Sequence, residues 1–188
     1  SFHRSTKTQR GFTIINKIYI DGQNFDYTRL DENIDLIKIK LSKTLNKGDS
    51  ITLNINYEVI IPDDSFTGYG INKSKDINIR DWYLTFTSFD NGKWKTESNL
   101  DLNDLYHDPA YFKFKINYPK NYTLISDITP LTLLSNDTKN IIFDSKKEIR
   151  KNSNIILSQN PNFKVYNVND VRIYSNVENK KGKSDSLI

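Results

Sequence analysis

Two histidines, scattered aspartates and one glycine-rich turn are what this chain offers to catalysis, and none has the spacing of a reaction centre. Histidine is the usual general base and transition-metal ligand near neutral pH, and the chain has only His3 and His107. His107 stands in Leu105-Tyr106-His107-Asp108-Pro109, with Asp104 and Asp108 close by in sequence. A Ser-His-Asp triad is assembled by the fold, so adjacency of His and Asp is no argument for one. A hydrogen bond within the loop accounts for His107 more simply. A zinc site needs at least three nitrogen, oxygen or sulfur ligands, and one histidine among dispersed aspartates is a poor set. The absence of cysteine excludes disulfides and thiolate metal sites.

Calcium prefers oxygen ligands, which draws attention to Asp63-Asp64 and to Asp101, Asn103, Asp104 and Asp108. Neither group has the alternating spacing and terminal glutamate of an EF-hand loop. The glycines of Phe66-Thr67-Gly68-Tyr69-Gly70 lack the lysine of a phosphate-binding loop, so a tight turn is expected there. Asn72-Lys73-Ser74, Asn121-Tyr122-Thr123 and Asn136-Asp137-Thr138 fit the glycosylation acceptor pattern, as chance allows in a chain this rich in Asn and Ser. No residue is assigned a catalytic, cofactor-binding or metal-binding role.

Trp82, Tyr83 and Trp94 form the remaining candidate, an aromatic binding surface. Exposed rings on a β-domain stack against sugars, whereas buried ones fill a core. Trp82 and Tyr83 have opposite parity along an extended strand, which would let one of the two face outward. Core packing on the strand Ile79–Thr87 and its neighbour is nevertheless the expected reading for these rings.

The 188 residues suffice for one domain with a core. Hydrophobic residues make up only 36%, but 11 Tyr, 10 Phe and 2 Trp supply large buried areas per residue. The 27 basic and 23 acidic residues are interleaved, and pairs such as Lys38/Lys40 and Lys113/Lys115 recur on alternate positions. That pattern is a solvated strand face, not a nucleic-acid footprint. No apolar run approaches the ~18 residues of a membrane span. The chain lacks methionine, and a piece of a longer protein is expected.

Period-2 alternation dominates. Ile37–Leu41, Ile51–Val59 and Phe112–Tyr118 alternate cleanly, the last two ending at Pro62 and Pro119. Shorter strands are expected at Thr13–Tyr19, Ile79–Thr87, Tyr122–Ser126, Asn140–Asp144, Asn154–Ser158 and Val171–Ser175. Gly, Pro, Asn and Asp fill most spacers, as strand-to-strand turns require. One helical turn is expected at Asp101–Tyr106, started by an Asp cap. The pattern predicts an all-β fold, an antiparallel β-sandwich or saddle-shaped bent sheet with little helix. Residues 1–178 are expected to form a single β-domain and 179–188 a polar linker.

The stretches Ile61–Gly70, Arg80-Asp81-Trp82-Tyr83-Leu84-Thr85 and Asp108–Tyr122 together resemble the N-terminal domain of aminopeptidase-N-like zinc metallopeptidases, the gluzincin family, in its Bacteroidetes branch. In that family a strand of the form Y-x-F-x-I-x-Y-P-K-x-Y crosses a saddle-shaped β-domain and follows a W-Y segment. The segment Phe163–Ser175 resembles the strands that close the domain, so the likeness spans most of the chain. Three departures stand out. The family's W-Y-P reads Trp82-Tyr83-Leu84, the strands that precede a segment like Phe2-His3-Arg4 are missing, and neither H-E-x-x-H nor G-x-M-E-N occurs. Two histidines four apart on a helix bind zinc while the glutamate activates water, and His3 and His107 cannot supply that arrangement.

The resemblance therefore implies a non-catalytic N-terminal β-domain that packs on and roofs a catalytic domain lying beyond this chain. The parent would be a zinc aminopeptidase acting on peptides, with zinc held outside this segment and export to the periplasm or cell envelope. The rival reading from the residues alone is a carbohydrate-binding or structural β-sandwich module of the cell envelope.

Overall fold

The computed structural model describes residues 4–31, 33, 35–65, 67–96, 107–128, 130–133, 139–145, 148–162 and 164–175. Strands make up nearly half of the described residues, and no α-helix occurs among them. Among the described residues all strand pairings are antiparallel and no barrel closes. The expected all-β architecture is what the chain adopts.

The first sheet has three strands. Its centre is β1 (Phe12–Ile20), flanked by β2 (Gln23–Phe25) and by β5 (Leu53–Ile60). In β5 the alternation of the sequence is also an alternation of burial, with Leu53, Ile55, Tyr57 and Val59 turned inward. Strand β1 does not alternate so simply: Ile15, Ile18 and Ile20 are all buried. A register shift against β5 between Ile15 and Lys17 reconciles them. The extra residue, Asn16, flips the parity of everything after it, and its amide donates to Asn56 Oδ1 and Glu58 Oε1, both at 3.2 Å.

Two further sheets enclose the main core. One orders β10 (Lys113–Tyr118), β13 (Lys139–Asp144) and β12 (Pro130–Leu133). The other orders β11 (Thr123–Ser126), β14 (Asn154–Ser158), β7 (Ile77–Arg80) and β6 (Gly70–Ile71). Tyr118, Ile128, Ile141 and Phe143 are buried together, with Phe114 opposite Phe143 and Ile116 opposite Ile141 across the β10–β13 ladder. Leu124 of β11 and Leu157 of β14 pack against this cluster, so the two sheets share one apolar interior in a sandwich-like arrangement. Burying a ring as completely as Phe143, at 1% exposure, contributes roughly 1.5–3 kcal/mol by area alone.

Three two-stranded ribbons complete the described structure. They are β3 (Tyr27–Arg29) with β4 (Ile37–Ile39), β8 (Phe89–Asp90) with β9 (Lys93–Trp94), and β15 (Lys164–Val168) with β16 (Val171–Ser175).

One expected strand is much shorter than the sequence suggested. Ile79–Thr87 was expected to run as a unit, but the strand in this region, β7, ends at Arg80. Asp81 takes φ +49, a left-handed conformation that ends extended geometry. The Arg80 guanidinium donates to Asp81 at 2.9 Å beside this break. The helical turn expected at Asp101–Tyr106 and the linker at 179–188 lie outside the described residues.

Candidate interaction surface

The Asp81 turn decides where the first two aromatic candidates go. Once the chain leaves strand geometry, the parity argument that placed Trp82 and Tyr83 on opposite faces no longer applies. Both rings pack on β10 and the residue before it. The Trp82 ring centroid lies 5.4 Å from that of Phe114, and Tyr83 lies 5.0 Å from Phe112 and 5.7 Å from Phe114. Trp82 and Tyr83 meet edge to face at 5.6 Å, an arrangement favoured by the ring quadrupoles. These rings are half-buried and spend their faces on one another.

The Tyr83 hydroxyl points into a polar seam. It accepts the Ser153 backbone N–H at 2.9 Å, and burial pushes its phenol up from the ordinary value. Ser153 is fully buried. Its hydroxyl donates to Asp127 at 3.2 Å, as do the Asn154 backbone N–H and side-chain amide. Arg150 closes the seam with an ion pair to Asp127 at 3.3 Å and another to Glu148 at 3.0 Å. One carboxylate thus gathers the chain before β12 and the chain entering β14. The seam has donors and acceptors but no nucleophile–base pair, and its geometry is that of a structural clasp.

Trp94 is placed differently. It stands 57% exposed in β9 and pairs directly with Phe89 of β8, also 57% exposed, with ring centroids 4.9 Å apart and planes at 60°. The connection is Asn91-Gly92, with φ +49 and +77, the two-residue turn that matches strand twist. The ribbon's base is tied by the Lys95 N–H to the Ser88 carbonyl at 2.8 Å and by the Thr87 hydroxyl to the Lys95 carbonyl. Ser88 in turn donates to Asp108 at 2.8 Å. Leu84 and Phe86 are exposed as well, Phe86 at 65%. Leu84, Phe86, Phe89 and Trp94 thus leave four large hydrophobic side chains exposed within one eleven-residue stretch.

The chain matches no family model, no curated protein and no solved structure.

The other candidates resolve locally. His107 directs Nδ1 to the Asp108 carbonyl at 3.2 Å, a contact within its own loop. Asp63 accepts the Ser65 N–H at 2.9 Å and the Ser65 hydroxyl, which hold its carboxyl below the ordinary value. The glycine-rich segment is a turn: Gly68 N–H donates to Asp64 and Ile71 N–H to Pro62, each at 2.8 Å. Gly70, at φ +129, sits so close to the Pro62 carbonyl that a Cβ would collide with it. His3, Asp101, Asn103 and Asp104 lie outside the described residues. Among the described residues no three His, Asp or Glu side chains converge as metal ligands, and no helix is long and apolar enough to cross a membrane.

Sequence reasoning found Trp94 but not Phe89 or Phe86. The Asn-Gly dipeptide between Phe89 and Trp94 was the available signal, since it marks a two-residue hairpin. The Asp127–Ser153–Tyr83 clasp had no local signal, because its members lie far apart in the chain.

Proposed function

We propose that this chain is a non-catalytic β-domain that works by packing against another folded domain, as the N-terminal domain of a zinc aminopeptidase-like protein. The observation that carries the reading is the contact between two of the stretches that carry the resemblance. Trp82 and Tyr83 of Arg80–Thr85 lie on Phe112 and Phe114 of Asp108–Tyr122. Two motifs separated in sequence thus act as one packed unit. The exposed side chains of Leu84, Phe86, Phe89 and Trp94 support a docking role, because a surface of this kind is stabilised when a neighbouring domain covers it. In this reading zinc and the peptide-cleaving residues belong to that neighbour, and the protein acts in the periplasm or cell envelope.

Reading the gene past the codon for Ile188 tests the proposal. An H-E-x-x-H pattern followed by a glutamate about twenty residues later supports it. A stop codon, or a following domain without those residues, overturns it. Zinc and an aminoacyl-arylamide added to the isolated chain should give no hydrolysis above blank.

A second reading, a carbohydrate-binding module, now rests on Trp94 and Phe89 alone, since Trp82 and Tyr83 are committed to internal packing. Oligosaccharides that shift Trp94 fluorescence would favour it, and flat titrations would retire it.

A further inference from the structure

We draw no further inference here: the strongest candidate, the open cleft of about 370 Å³ between the β1–β2 turn and the 41–51 loop, carries nothing because Asp21 and Asp49 in its lining already accept hydrogen bonds from the backbone N–H groups of Thr52 and Asn46 and no second feature there points to a ligand.

Discussion

The Ser153 backbone N–H donates to the Tyr83 hydroxyl at 2.9 Å, joining residues 70 apart in sequence. Ser153 is fully buried, so no solvent stands ready to replace the acceptor. Tyr83→Phe keeps the ring contacts with Phe112 and Phe114 and removes only the oxygen. The expected cost is about 1–3 kcal/mol, the penalty of an orphaned buried donor. Urea denaturation should show a lower midpoint with an unchanged slope. An unchanged midpoint would mean that the N–H finds another partner.

Alkaline pH should loosen the fold. Burial raises the phenols of Tyr57, Tyr83 and Tyr118 above their ordinary value of 10.0. The folded state therefore favours the neutral phenol. That preference contributes its full stability below pH 10.0 and is lost as pH rises through the higher folded values. Thermal melts taken across this range should show the midpoint falling above about pH 10, and Tyr83→Phe should make the fall shallower. A decline equally steep in the variant would remove Tyr83 from the account.

Asp127 accepts from Ser153 Oγ and from both nitrogens of Asn154, and faces Arg150. Asp127→Ala should destabilise by about 2–3 kcal/mol, because hydrogen bonds to a carboxylate are stronger than neutral ones and their donors are left behind. Asp127→Asn should cost less, since it retains an acceptor oxygen. Chemical denaturation of the two variants side by side decides this, and equal costs would assign the effect to charge alone.

Phe143 and Phe86 are the same residue type in opposite settings, 1% and 65% exposed. Phe143→Ala should lose about 3–5 kcal/mol through lost burial and the cavity left behind. Phe86→Ala should stay within about 0.5 kcal/mol of the parent. Should Phe86→Ala prove as damaging as Phe143→Ala, Phe86 is covered in solution, and the role given to this segment falls.

The two tryptophans should separate in quenching. Acrylamide should reach Trp94, which is exposed, far more readily than Trp82, which packs on Tyr83 and Phe114. Trp94→Phe should remove most of the quenchable emission, and Trp82→Phe should leave it. The reverse result would exchange their places.

Legibility followed the range of the forces involved. The strands Leu53–Ile60 and Lys113–Tyr118 were readable because alternation of apolar and polar residues is a local property of an extended chain. Strand β1 was readable as an element, but its bulge was not. That a register shift turns Ile15, Ile18 and Ile20 to one side depends on pairing with β5, more than thirty residues away.

The sequence by itself determined the all-β class, the inward faces of β5 and β10, and the lack of a motif for metal or nucleophilic chemistry, since each depends on residue type and near spacing. Only the tertiary structure decided which aromatics were free. Asp81 ended a strand by taking a left-handed conformation, and Trp82 and Tyr83 then found Phe112 and Phe114. The Phe89–Trp94 ribbon kept its rings in solvent. Parity along a chain predicts exposure only while the chain stays extended; beyond a break, packing against distant residues sets which ring is buried.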